Sequence, residues 1–191
     1  MENDVKILKL LLDRREEIFT IRKISETLKI NYRIAHERVA VLEKEGLLKV
    51  TKAGNSKICE LTHIFNSKVY EAELQRREEL FKKNKDFLVI HNRLAELNFV
   101  FVALVFGSYA KGNAGKHSDI DILTIGGDEK EIRAAISLLP DKIHLTTISS
   151  GDFVHMASSK KFSVVNESLK NNIILIGKGD YYRLLSNARK T

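Results

Sequence analysis

Apolar residues at Val5, Leu8, Leu11 and Leu12 recur at the spacing of one helix face. A second face runs through Ile21, Ile24 and Leu28, with Thr20 placed to cap it. A short turn, Lys29-Ile30-Asn31, leads to a third helix with Asn31 as N-cap, Ala35, Val39 and Leu42 as its inner stripe, and Gly46 placed to end it. Two β-like runs follow, Leu47 to Thr51 and Lys57 to Leu61. Between them, Lys52-Ala53-Gly54-Asn55-Ser56 has the composition of a hairpin turn. From Ile64 to Asn98 there is neither Gly nor Pro, and the segment EAELQRREELFKKNKD is charge-dense and helix-favouring. Leu80, Phe81, Phe87, Leu88, Leu94 and Ala95 recur there at near-heptad spacing. That pattern fits a helix on a sheet, preferred for residues 86–97. It also fits a short coiled coil interrupted by Asn84 and His91, and dimerisation into a homodimer stays open for residues 65–85.

The second half alternates strand and helix patterns. Phe99 to Phe106 is apolar on both faces, as a central strand is. Asp119 to Ile125 is a second strand, and Ile143 to Ile148 a third. Gly126-Gly127 turns the chain, and Asp128 is placed to cap a helix containing Ile132, Ala135, Ile136 and Leu139, which Pro140-Asp141 breaks. Helical patterns near 151–159 and 162–172, a short strand from Ile173 to Gly177 and a closing helix from Tyr181 to Ala188 complete the chain.

Bulk composition narrows the classes. A chain of 191 residues with 43% hydrophobic content can bury a core and form one large or two small domains. No apolar run approaches the ~20 residues that span a bilayer, and the first residues lack a signal-peptide layout, so a cytoplasmic protein with no membrane partner is expected. The single Cys59 excludes an internal disulfide and a cysteine zinc site. A net charge of +7 suits a polyanionic partner, although a lysine-rich surface also serves solubility.

The chemistry concentrates in GSYAKGNAGKHSDIDIL, from Gly107 to Leu123. Strand alternation puts Asp119 and Asp121 on one face while Ile120 and Ile122 point to the core. Two adjacent carboxylates repel unless a cation or proton lies between them, which outlines a magnesium site. Gly107 and Ser108 offer backbone N–H groups and a hydroxyl to phosphate oxygens. With the Gly-Ser pair ending one apolar strand and Asp-x-Asp opening the next, residues 85–185 resemble the minimal nucleotidyltransferases of the DNA polymerase beta superfamily. The resemblance implies that Asp119 and Asp121 hold Mg²⁺ or Mn²⁺ and that Gly107, Ser108 and Lys111 bind a nucleoside triphosphate, with Lys111 equally readable as a solvent lysine. Lys116, His117 and Ser118 lie in the loop before the aspartates, where Ser118 shapes the turn. The family usually adds a third carboxylate from the next long strand, which here reads DKIHLTTIS. His144 stands in its usual place. It is readable as a catalytic base or as a polar residue at a cleft edge; Asp141 and Asp152 are remoter candidates.

Residues 3–62, with KISETLKINYRIAHERVAVLEKEGLL at their centre, resemble the winged helix-turn-helix of prokaryotic regulators. That resemblance implies that the third helix meets double-stranded DNA through Tyr32, Arg33, His36 and Lys44, with Lys52 and Lys57 flanking the wing. Such domains also dock proteins, and Glu37, Glu43 and Glu45 reduce the positive field of the helix. The expected fold is α+β: a winged helix-turn-helix domain over residues 1–62, a helical connector over 63–97, and a nucleotidyltransferase-fold α/β domain with a small mixed sheet over 98–191. The expected function is Mg²⁺-dependent transfer of a nucleoside monophosphate from a nucleoside triphosphate to a protein or small-molecule hydroxyl. Family relatives act as antitoxins that modify a partner toxin, often of the HEPN class. The alternative is a transcriptional regulator whose nucleotidyltransferase domain only binds nucleotide or is inactive.

Overall fold

The computed structural model describes residues 2–115, 117–137, 143–159 and 163–188. The chain divides into two units, Met1–Gln75 and Arg76–Thr191.

The first unit runs α1 (Glu2–Asp13), β1 (Phe19–Thr20), α2 (Ile21–Leu28), α3 (Tyr32–Lys44), β2 (Leu48–Ala53) and β3 (Ser56–Leu61). The Thr20 hydroxyl accepts the Lys23 N–H at 3.2 Å, and the Asn31 side-chain Oδ1 accepts that of Arg33 at 2.8 Å. Each cap satisfies a backbone donor that the first helical turn leaves without a partner. Ala35, Val39 and Leu42 are buried, as their spacing requires. The sheet has the order β1-β3-β2, all antiparallel. Its hairpin is tighter than the expected turn over 52–56. Ala53 pairs with Ser56, leaving Gly54 and Asn55 alone at the tip, and Gly54 adopts φ 59°. A positive φ at this point lets two residues reverse the chain, so the polar flanks stay in the strands. Strand β1 is absent from the sequence pattern because two residues carry no period; pairing of Phe19 with Cys59 defines it. Cys59 is a buried small hydrophobe, and burial pushes its thiol up to about 11.

Helix α4 (Ser67–Lys83) crosses the division between the units. The second unit continues with α5 (Asp86–Ala95), β4 (Val102–Phe106), α6 (Gly107–Lys111), β5 (Ile120–Ile125), α7 (Glu129–Ile136), β6 (Ile143–Ile148), α8 (Ser150–Ser158), α9 (Val164–Lys170), β7 (Ile173–Ile176) and α10 (Lys178–Ala188). The sheet order is β6-β5-β4-β7, with β5 and β6 parallel and the other pairs antiparallel. It is a small mixed sheet within an α+β chain. Every residue of β4 is buried, which matches its place between two strands. Phe87, Ile90 and Leu94 of α5 pack with Phe101, Ala103, Val105 and Leu175 in one core. Burying a side chain such as Phe87 stabilises by roughly 1.5–3 kcal/mol. Leu88 and Ala95, grouped with this stripe by the heptad reading, are exposed instead. The helix follows the 3.6 period of a single face on a sheet, which 87, 90 and 94 satisfy. Asp128 caps α7 by accepting the N–H groups of Lys130 and Glu131 at 2.9 and 3.0 Å. The break expected at Pro140-Asp141 lies outside the described residues. Among the described residues no helix is long and apolar enough to cross a membrane.

Candidate active site

Strand β4 delivers the chain to the site. Beyond Phe106 it turns at Gly107, with φ 67°, straight into the five-residue helix α6. A side chain on Gly107 would be strained by that angle and would also collide with the Asp121 carboxylate, so only glycine brings this backbone against Asp121. The register completes the arrangement: Phe106 faces Asp121 across β4 and β5, and Asp121 faces His144 across β5 and β6. Ile120 and Ile122, one position to either side of Asp121, are buried at 4% and 0% exposure.

A cavity of about 380 Å³ opens there. Gly107, Ser108, Lys111 and Asn113 line it from the β4–α6 side, His117, Ser118, Asp119 and Asp121 from the approach to β5, and Glu167 from α9. His144 is not among the lining residues. Its side chain is 69% exposed at the rim, with Nε2 3.9 Å from Asp119 Oδ2 and Nδ1 3.9 Å from Asp121 Oδ1. The Ser118 hydroxyl accepts the Gly115 N–H at 2.9 Å and so holds the turn into β5. Lys116 and Asp141 lie outside the described residues. Asp152 is hydrogen-bonded to the Ser149 hydroxyl at 2.6 Å at the start of α8, past the opposite end of β6 from His144.

The cavity carries surplus negative charge. Burial raises the Asp121 carboxyl above the ordinary aspartate value; His144 opposes the shift, while Glu167 and Asp119 add to it. A divalent cation between Asp119 and Asp121 would relieve this strain. Mg²⁺ is commonly held by one or two carboxylates together with substrate phosphates, so the donor set fits. Among the described residues no group of three or more His, Cys, Asp or Glu side chains has the placement to hold a metal by itself. Water and phosphate oxygens would complete the coordination.

This stretch of chain also matches a family model, Polymerase beta, Nucleotidyltransferase, over residues 88–181. Those residues form a nucleotidyltransferase domain. A search of curated proteins finds no match to the chain. The nucleotidyltransferase domain contains the whole cavity, including two lining residues that sequence reasoning misses, Asn113 and Glu167. Asn113 offers no pattern beyond its nearness to the Gly-Ser pair. Glu167 lies far along the chain, and only the packing of α9 brings it to the cavity.

The candidate nucleic-acid residues of the first unit are exposed except for the half-buried His36. Tyr32 and His36 have ring centroids 6.2 Å apart, and His36 Nε2 lies 3.4 Å from Lys57 Nζ. Lys57 pairs across the hairpin with Lys52, and neither has a carboxylate partner among the described residues. Arg33 is held by Glu37 at 3.0 Å. Lys44 stands at the other end of α3, roughly 18 Å along the axis from Tyr32.

Proposed function

We propose that the nucleotidyltransferase domain transfers a nucleoside monophosphate from a nucleoside triphosphate to a hydroxyl of a protein or small molecule. The observation that carries this reading is the Asp119–Asp121 pair lining one cavity with Gly107 and Ser108, its half-buried member Asp121 set against the backbone of Gly107. Mg²⁺ or Mn²⁺ bound by Asp119 and Asp121 would neutralise charge on the phosphate oxygens. The backbone at Gly107 and the Ser108 hydroxyl are suited to hold the β- and γ-phosphates, and Lys111 to add a positive charge beside them. The acceptor hydroxyl forms a new bond to the α-phosphorus as the bond to pyrophosphate breaks, and its proton must leave. The imidazole of His144, beside both aspartates, is the candidate acceptor of that proton. The test is pyrophosphate release and label transfer from α-labelled nucleoside triphosphates with Mg²⁺ or Mn²⁺. Transfer that needs both aspartates supports the reading, and an absence of transfer, or transfer that survives without them, overturns it.

One observation favours a second reading. Strand β6 reads IHLTTI and carries no carboxylate. A regulator whose domain binds nucleotide without transfer would need none. Transfer gained in His144→Asp, with none in the natural protein, would decide for it.

For the first unit we propose a winged helix that binds double-stranded DNA. The order of its three helices and three strands supports this, as does the Lys52–Lys57 pair, two like charges opposite each other on the exposed hairpin. A protein-docking role would be indicated if the intact protein binds no duplex at low salt. A HEPN-class toxin as the modified partner belongs to the same proposal, and co-purification with label transfer would test it.

A further inference from the structure

We infer that Glu167 is a selectivity residue for the nucleotide's phosphate chain, acting as the counter-ion from which Lys111 must be drawn when a triphosphate enters. The inference rests on the nucleotidyl-transfer reading of the same cavity. Lys111 closes α6 and Glu167 belongs to α9, and both line the cavity with Ser108, Asp119 and Asp121. Lys111 Nζ lies 3.7 Å from Glu167 Oε1, with the two side chains 39% and 36% exposed. An ion pair this long and this wet is weak, and therefore exchangeable.

Among the described residues, Lys111 is the only lysine or arginine lining the cavity, against three carboxylates. An entering anion gains Lys111 only by taking it from Glu167, and it then meets all three negative charges. A monophosphate brings too little to offset that repulsion. A triphosphate arrives with a divalent cation that settles on Asp119 and Asp121, and its longer chain offers Lys111 more charge than Glu167 does. Glu167 thus works against the wrong ligand more than for the right one, which is how an unpaired charge creates specificity.

The scaffold, not Lys111, fixes Glu167. Ser163 caps α9 by accepting the Asn166 N–H at 3.1 Å, the Asn166 side chain donates to the Ser159 carbonyl at 2.8 Å, and Val165 and Ser168 are buried. Neutralising Glu167 should leave the fold in place.

The experiment titrates the full chain, with Mg²⁺, against the α,β-methylene analogues of the four common nucleoside triphosphates and against the four monophosphates. Glu167→Gln should tighten monophosphate binding about threefold or more and lower the triphosphate-to-monophosphate affinity ratio correspondingly. Glu167→Asp should retain most of the ratio. In a Lys111→Ala background the Glu167→Gln change should tighten both ligands alike and leave the triphosphate-to-monophosphate ratio where it is, since the general repulsion is relieved but no counter-ion remains to be exchanged. An unchanged ratio in both Glu167→Gln and Glu167→Ala, or a change in the ratio that persists without Lys111, overturns the inference. So does triphosphate binding lost in Glu167→Gln as fully as in Asp119→Asn with Asp121→Asn, which would make Glu167 a metal ligand. If the natural protein binds nucleotide through its aspartates and the ratio does not move, the inference alone falls. If it binds no nucleotide, the reading of the cavity falls with it.

Discussion

The hairpin of the first unit and the cavity of the second each bring like charges together, and they differ in what surrounds them. Lys52 and Lys57 face each other on exposed strands, where water and salt screen the repulsion. At the sheet end Asp119 is exposed but Asp121 is half-buried, and there burial already raises the Asp121 carboxyl. The same arrangement therefore weighs differently as a sign of a ligand. Exposed lysines can wait for a phosphate at little cost. The half-buried Asp121 carboxylate carries a burial cost that a cation would relieve, so the case for a bound ion is stronger in the cavity than the case for DNA is at the hairpin.

The largest expected effect is at the aspartates. Asp119→Asn with Asp121→Asn should lower nucleotide transfer by a hundredfold or more. It should also abolish the rise in melting temperature that Mg²⁺ and a nucleoside triphosphate together produce. A shift surviving in the double variant would remove the cavity's claim to a cation. The next effect is at His144. Its change to Ala should cut turnover at least about tenfold while nucleotide binding persists, and His144→Asp should keep or raise turnover with Mg²⁺. Full activity in His144→Ala would make the imidazole a rim residue.

Smaller effects sharpen the contrast from the basic side. Changing Arg33, Lys52 and Lys57 together to Ala should weaken duplex binding about tenfold at low salt. The slope of log affinity against log salt should fall by about 2–3, as measured by fluorescence anisotropy. An unaltered slope would show that these residues are a solvated surface. The smallest effect concerns Asp121 without metal. Its carboxyl is raised in the folded state, so its contribution to stability is present below the unfolded value and lost as pH rises through the folded one. At neutral pH the ionised group is a net cost. Asp121→Asn should thus raise the metal-free melting temperature slightly, on the order of 1 °C, and the gain should shrink in acid. A lowered melting temperature would mean that the pair is not under stress.

Much of this was legible in local chemistry. Thr20, Asn31 and Asp128 are caps that short polar side chains announce, and the alternation from Asp119 to Ile122 fixes which side faces the core. The sequence hides what depends on distant contacts. Strand β1 exists only by pairing with β3, and Glu167 joins the cavity only because α9 packs nearby. Helix α6 is concealed because Gly107 and Ser108 read as turn residues, though the turn and the helix share them. Leu88 and Ala95 mislead because the heptad reading runs one seam through residues 80–95, whereas α4 ends at Lys83 and α5 starts afresh at Asp86 with 87, 90 and 94 as its inner face.

The sheet order sets a timetable for assembly. Strand β4, which carries the turn into the cavity, pairs on one side with β5, its nearest following strand. On its other side it pairs with β7, where Val105 meets Ile173, about seventy positions further along. During synthesis, the Gly107 turn and both aspartates emerge well before β7 is available. Until then β4 presents an open, wholly apolar edge, the kind of surface that invites pairing with another chain. The residues that define the chemistry thus emerge early, while the strand that shields their support comes late, and that interval is where the nascent chain is most exposed to misassembly.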